Sequence, residues 1–78
     1  MRYVLFSMNL FSTSFIDVLY KLMHDELLPE KYKDHPLNGE MNGYRECHIQ
    51  PDLLLIYEKT NDGFLNLVRL GSHSELFG

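Results

Sequence analysis

The fold is decided by the stretch YRECHIQPDLLLIYEKTNDGFLNLVRL, residues 44–70, which contains three strand-like runs. These runs are Tyr44–Ile49, Leu53–Lys59 and Phe64–Leu70. The LLLIY core of the second run is continuously apolar, as is typical of a central strand. Asn61-Asp62-Gly63 is a hairpin signal, because Gly63 accepts the positive φ that such turns require. The stretch therefore predicts a three-stranded antiparallel meander.

Helical periodicity precedes the strands, over residues 12–28. Apolar residues recur there every three or four positions, and polar residues occupy the opposite face. Ser14 and Asp17 form a weak capping box at the start, and Pro29 ends the pattern. The prediction is an α+β domain in which this N-terminal helix covers one face of a small antiparallel sheet.

Three other segments carry weaker signals. Arg2–Leu10 fits either a first strand or a helical turn, and its pattern does not separate the two. Residues 30–43 are polar and rich in turn formers, so we expect an ordered loop there. Gly71 breaks the third strand, and residues 72–78 are expected to form a short tail.

The composition is that of one small globular domain. The 78 residues are 45% hydrophobic and 23% charged, which leaves too little chain for two cores and too much apolar content for disorder. No apolar run reaches the roughly 20 residues of a membrane-spanning helix. The apolar opening before residue 12 lacks a small-residue cleavage site, so we expect it to belong to the fold. The single cysteine, Cys47, fits a reducing cytoplasm.

The net charge of −4 works against undirected binding of nucleic acid, because that binding depends on Lys and Arg meeting phosphates. Any function directed at RNA must therefore depend on a local site. The most informative local feature is the arrangement of the histidines.

Four side chains are expected to converge at one end of the meander. His48 and Asp52 bracket the turn between the first two strands, and the hairpin returns Arg69 and His73 to the same end. Such a set suits phosphodiester cleavage by a ribose 2′-hydroxyl: one group removes its proton, another protonates the leaving 5′-oxygen, and a cation meets the phosphate charge. Histidine titrates near neutral pH, and the planar fork of arginine donates two hydrogen bonds to a phosphate.

Ordinary interpretations compete with this one. His24 is expected to be a surface residue on the polar face of the helix. Asp52 also fits a turn former after Pro51. Arg69 also fits an ion pair with Glu46 or Glu58 across the sheet, which would contribute about 0–1 kcal/mol at an exposed site.

A zinc site built from His35, Cys47, His48 and His73 is a further alternative. Neighbouring residues of a regular strand point to opposite faces of the sheet, so Cys47 and His48 could not share one metal ion. Cys47 is better interpreted as a small buried apolar residue. We therefore predict neither a metal nor a cofactor.

Three motifs in a fixed order resemble one protein family. The stretches YKDHPLNG (32–39), GYRECHIQPDLLLIY (43–57) and LVRLGSHSELFG (67–78) are similar to the YafQ toxins of the RelE/ParE superfamily. The resemblance implies a RelE-like fold and a bacterial toxin–antitoxin pair. It also implies metal-independent cleavage of mRNA in the ribosomal A site, which leaves a 2′,3′-cyclic phosphate. The implied partner is a cognate antitoxin of the DinJ/RelB type.

The resemblance also implies which residues form the active site. They are His35 of DHPL, His48 and Asp52 of HxxPD, and Arg69, His73 and Phe77 of RxGxHxxLF. We expect Asp52 or His48 to act as general base and His73 as general acid, and the two assignments can be exchanged. Arg69 would stabilise the phosphorane, His35 would assist, and Phe77 would hold a nucleotide. Packing of Phe77 onto the core stays an equal alternative.

The beginning of the chain departs from the family pattern. Family members usually start with a strand and a lysine-rich helix before a second helix, and this chain is expected to keep only the second helix. Residues 1–78 are thus expected to form one N-terminally shortened domain. One sheet edge would lack its usual partner strand unless Arg2–Phe6 takes that place. The alternative function is a truncated, non-catalytic toxin remnant that only binds antitoxin.

Overall fold

A computed structural model describes residues 13–77 of the chain, and these residues form an α+β domain. Its elements are α1 (Thr13–Met23), β1 (His35–Pro36), β2 (Arg45–Gln50), β3 (Leu53–Lys59), β4 (Leu65–Gly71) and α2 (His73–Phe77). Two 3-10 turns, Glu30–Tyr32 and Gly39–Met41, lie before β1 and before β2. The predicted fold class is confirmed. The interpretations of Arg2–Leu10 and Arg2–Phe6 lie outside the described residues.

The sheet is a four-stranded antiparallel meander in the order β1-β2-β3-β4. The predicted hairpin joins β3 to β4. Gly63 has a φ of +94° there, and the Thr60 N–H donates to the Phe64 carbonyl at 2.9 Å. Positive φ is the conformation for which glycine is favoured, so this turn follows directly from the sequence. Within residues 13–77, no helix is long and apolar enough to cross a membrane.

One face of the sheet is covered by α1. Phe15, Val18 and Leu22 of the helix pack against alternate residues of the strands, which include Cys47 and Leu55. Alternation follows from the two-residue period of a strand. The prediction that the helix covers one sheet face is confirmed. We call this side the covered face. The other side, which α1 does not cover but where Leu54 and Ile56 are only 1% exposed, we call the open face.

The helix α1 ends five residues earlier than predicted, at Met23. Asp25 adopts the left-handed conformation with φ +58°, and the Glu26 N–H donates to the Lys21 carbonyl at 2.8 Å. These are features of a Schellman C-cap. The conformation of Asp25 therefore ends the helix, and Pro29 does not. The predicted capping box is also wrong, because Ser14 lies inside the helix and Asp17 bonds elsewhere.

The segment predicted as a loop contributes the fourth strand, β1. Its two residues pair with β2, His35 opposite Glu46 and Pro36 opposite Arg45. A proline is tolerated here because β1 is an edge strand, where its missing N–H costs no ladder hydrogen bond. The tail after β4 is also ordered, since residues 73–77 form α2.

Candidate active site

The strand register places the candidate residues in two rows that cross the open face. His35, Glu46, Ile56 and Arg69 are direct partners across all four strands. His48, Leu54 and Gly71 form the next row toward the end of the sheet. Directly paired residues point to the same face, as do residues two apart in a strand. The polar members of both rows therefore share the open face.

Glu46 is the centre of the best-defined polar contact on this face. Its side chain is only 7% exposed, and its Oε1 lies 3.2 Å from His35 Nε2 and 3.6 Å from His48 Nε2. The two imidazole rings are 6.5 Å apart, centre to centre. One buried carboxylate oxygen thus faces two histidines.

The hydrogen bonds of His35 determine where its protons are. His35 Nδ1 lies 2.7 Å from the Lys33 carbonyl oxygen, which can only accept, so Nδ1 carries a hydrogen. The other ring nitrogen, Nε2, lies 3.2 Å from Glu46 Oε1. His35 and Glu46 therefore form an imidazole–carboxylate contact on the open face.

A second carboxylate, Asp34, fixes the segment that carries His35. Asp34 accepts hydrogen bonds from Arg45 Nη2 at 2.9 Å and from the Tyr57 hydroxyl. Asp34 holds the pKa of Arg45 above its ordinary value, and burial followed by this hydrogen bond raises the pKa of Tyr57. Because Tyr57 is buried in the core, the contact ties the DHPL motif to β2 and β3.

The helix α2 brings His73 and Phe77 to the end of β4. Ser72 N–H donates to Glu75 Oε1 at 2.7 Å, and Glu75 N–H donates to Ser72 Oγ at 3.2 Å, which is a reciprocal capping box. The rings of His73 and Phe77 are 5.2 Å apart. Phe77 is 43% exposed, so it is only partly packed.

Gly71 allows α2 to lie this close to the sheet. A Cβ atom at this position would be 2.8 Å from Glu75 Oε1 and 3.4 Å from Leu76 Cδ2. Gly71 is also the cross-strand partner of Leu54, which is opposite His48. Gly71 therefore lies about two strand spacings, roughly 10 Å, from His48, and His73 follows Gly71 by two residues.

The side chains of Asp52 and Arg69 are exposed and make no hydrogen bond or ion pair within residues 13–77. Asp52 lies in the turn before β3, next to the row that contains Leu54. The alternative partners of Arg69 are occupied, because Glu46 faces the two histidines and Glu58 Oε1 accepts from Asn66 at 3.0 Å. The register thus places His35, His48 and Arg69 on one face of the sheet. Asp52 and His73 lie beyond strand ends at the same end of the sheet, and only some of these residues are in direct contact.

Two other residues lie away from this site. Cys47 is fully buried on the covered face, and burial raises the pKa of its thiol to about 12. It cannot share a ligand with His48, which faces the other way. His24 lies on the surface of α1, stacked on Tyr20 at 4.0 Å. Within residues 13–77, no group of three or more His, Cys, Asp and Glu side chains is arranged to hold a metal ion.

The sequence interpretation missed the roles of Glu46 and Asp34. Glu46 was detectable in principle, because it precedes His48 by two residues and a strand places such residues on one face. The S-x-x-E pattern of Ser72 and Glu75 likewise signals a helix start. The partners of Asp34 are distant in the chain, so no local pattern could have identified them.

Comparison with known proteins gives one consistent result. Residues 5–78 match the family described as bacterial toxin of type II toxin–antitoxin system, YafQ. The mRNA interferase toxin YafQ of Escherichia coli K12 is 53% identical over 51 residues, which are 65% of this chain and 54% of that protein. The chain thus spans about half the length of this curated relative.

Two solved structures support the same grouping. A copper-bound mutant toxin from Helicobacter pylori superposes with a TM-score of 0.83 and 41% identity, covering 96% of this chain and 85% of the other. The toxin in the E. coli DinJ–YafQ toxin–antitoxin complex has a TM-score of 0.74 and 41% identity, covering 83% and 71%.

Proposed function

Because the chain belongs to the YafQ family of bacterial type II toxin–antitoxin toxins, we propose that it is an endoribonuclease toxin that cuts mRNA on the translating ribosome. The observation that carries this proposal is the buried Glu46 carboxylate facing His35 and His48 on the open face. Arg69 lies in the same cross-strand row and supplies a cation without a protein partner in the described chain.

The proposed reaction is general acid–base catalysis without a metal. A base, His48 or Asp52, removes the proton from a ribose 2′-hydroxyl, whose oxygen attacks the adjacent phosphorus. The P–O5′ bond breaks, and His73 gives a proton to the leaving 5′-oxygen. The products are a 2′,3′-cyclic phosphate and a 5′-hydroxyl. The sequence of events holds equally if the base and the acid are exchanged.

The remaining residues stabilise or position the substrate. Arg69 donates hydrogen bonds to the phosphate oxygens as charge increases on them. His35 assists through its contact with Glu46, and the partly exposed ring of Phe77 stacks on a base. These roles account for the six predicted site residues, with His48 and Asp52 as alternative candidates for the base.

The proposed partners are mRNA in the ribosomal A site and an antitoxin of the DinJ/RelB type. Support for the antitoxin comes from the E. coli relative, which was solved as a DinJ–YafQ toxin–antitoxin complex. The proposed compartment is the cytoplasm, where mRNA is translated. Antitoxin binding would hold the toxin inactive until it is released.

Primer extension on a defined mRNA in a reconstituted translation reaction tests this function. Wild-type protein should create new RNA ends only while the mRNA is translated, and a chelator that removes transition metals but leaves Mg²⁺ to the ribosome should not prevent them. His48→Ala and His73→Ala should each lower the cleavage rate by about 10²- to 10⁴-fold. His24→Ala is the matched control, because it removes a surface imidazole that stacks on Tyr20, and it should leave the rate unchanged.

Intact translated mRNA with the wild-type protein would overturn the nuclease proposal. The non-catalytic remnant that binds antitoxin would then be the better account. Loss of cleavage in the chelator alone would keep the nuclease and reject its independence of metal.

A further inference from the structure

A cleft with a largely apolar lining adjoins His48 at the end of the sheet. It has a volume of about 470 Å³, within the range of small-molecule pockets, and lies between the first 3-10 turn, the start of α1 and the end of β2. Its lining includes Ser14, Lys31, Lys33, His48 and Gln50. His48 belongs both to this cleft and to the contact around Glu46. His48 therefore connects the cleft to the candidate active site.

The cleft carries positive charge that the described part of the protein does not neutralise. Lys31 and Lys33 are both exposed, and neither ammonium forms an ion pair within residues 13–77. The nearby carboxylates are used elsewhere: Asp34 holds Arg45 and Tyr57, and Asp17 holds Lys21 and Tyr32. Although the chain has a net charge of −4, the two lysine ammonium groups form a local positive patch that attracts an anion.

The backbone of Lys33 gives a second observation, independent of its charge, that links this residue to the candidate active site. Lys33 has φ +50° and ψ 42°, a left-handed conformation that glycine or asparagine adopts more readily. Its N–H donates to the Glu30 carbonyl at 2.9 Å, and its own carbonyl accepts from His35 Nδ1. One residue thus orients an active-site imidazole through its backbone while it presents an ammonium at the neighbouring cleft.

We propose that this cleft binds the nucleotide next to the scissile bond in single-stranded RNA, with its phosphate held by Lys31 and Lys33. The inference rests on the proposed function and names a substrate subsite for it. A lysine ammonium is a compact charge suited to a single phosphate. Gln50 and Ser14 line the same cleft and offer hydrogen-bond donors and acceptors to a ribose or a base edge.

Binding of a short RNA that cannot be cleaved tests the subsite without depending on catalysis. The probe is an oligoribonucleotide whose attacking 2′-hydroxyl is replaced by hydrogen, and its affinity is measured by fluorescence anisotropy over a series of salt concentrations. The test variant is Lys33→Gly with Lys31→Gln. Glycine keeps the left-handed backbone without its steric cost, so the variant should fold with an unchanged or raised melting temperature.

The variant should bind the probe about tenfold more weakly at low salt. The slope of log affinity against log salt should fall by about 0.7 for each phosphate that the variant no longer neutralises. Lys59→Gln is the control, because it removes one positive charge at the other end of β3, where Lys59 pairs with Asp25. That control should change the slope little.

The two proposals can fail separately. Equal salt slopes for wild type and the double variant, or no binding of the probe by the wild type, would overturn the subsite even if translated mRNA is cleaved. A smaller slope in the double variant, together with a wild-type protein that cuts no mRNA, would keep the subsite and reject the nuclease.

Discussion

Two carboxylates, Asp34 beside Arg45 on the covered face and Glu46 on the open face, have different partners. On the covered face Asp34 accepts from Arg45 and Tyr57, whose donors stay protonated at neutral pH. On the open face Glu46 faces the imidazole rings of His35 and His48. A carboxylate with permanent donors stabilises a fold, whereas one with histidine partners can exchange a proton with a substrate.

The largest effect that tests this comparison is on stability. Asp34→Ala leaves the buried Tyr57 hydroxyl and the Arg45 guanidinium without their acceptor, which should lower the free energy of unfolding by about 2 kcal/mol. For a domain of this size the melting temperature should fall by about 10 °C. Urea unfolding of Asp34→Ala, Tyr57→Phe and the double variant measures the coupling, which should be non-additive.

Glu46→Gln is the matched variant on the other face, and it should lower the free energy of unfolding by less than Asp34→Ala. If the order of the two stabilities is reversed, the assignment of a structural role to one face and a chemical role to the other is wrong.

The covered face was the more predictable of the two. The LLLIY run and the Asn61-Asp62-Gly63 turn predicted β3 and the hairpin, because each depends on neighbouring residues only. The helix-covered core then follows from the two-residue period of β2 and β3 and the helical period of α1. Errors arose where one backbone angle decides the outcome, as at Asp25, whose left-handed conformation ends α1 early.

The open face was less predictable, because its contacts join residues that no local pattern relates. His35 contacts Glu46 only because β1 pairs with β2. The sequence did not predict β1, because Pro36 and the turn formers around it indicated a loop. The expectation that the candidate residues share one end of the sheet came from the hairpin, and their individual roles came from the family resemblance. Those roles stay predictions.

The second effect is on the His35 imidazole at the open face. In Glu46→Gln the carboxylate is replaced by an amide, so the His35 ring should carry its hydrogen on Nδ1, and its Nε2 should accept from the N–H of the Gln side chain. Nitrogen chemical shifts of the imidazole report this tautomer. Cleavage of translated mRNA should fall about tenfold, which corresponds to about 1.4 kcal/mol in the activation free energy.

A structural role for Glu46 alone predicts another result. Cleavage would then fall in proportion to the loss of folded protein, and the nitrogen shifts of His35 in the folded fraction would not change. Glu40→Gln, a change of an exposed carboxylate in the second 3-10 turn, is the control for the change in net charge.

The smallest effect concerns the contact that joins α1 to the first 3-10 turn, beneath the covered face. Asp17 accepts from Lys21 Nζ at 2.9 Å and from the Tyr32 hydroxyl at 2.7 Å, and these two hydrogen bonds hold the pKa of Asp17 below its ordinary value of 3.8. A lowered pKa in the folded state means that the ionised carboxylate stabilises the fold above pH 3.8 and that this contribution is lost as the pH falls through the lower value. Asp17→Asn should therefore reduce the melting temperature slightly at pH 7, and the difference from wild type should disappear at the acid end.

Thermal unfolding from pH 7 to pH 2 measures this difference in melting temperature, with Glu40→Gln as a control that should not follow the same pH dependence. A difference that stays constant with pH would mean that Asp17 acts through packing of its side chain and that the charge contributes nothing.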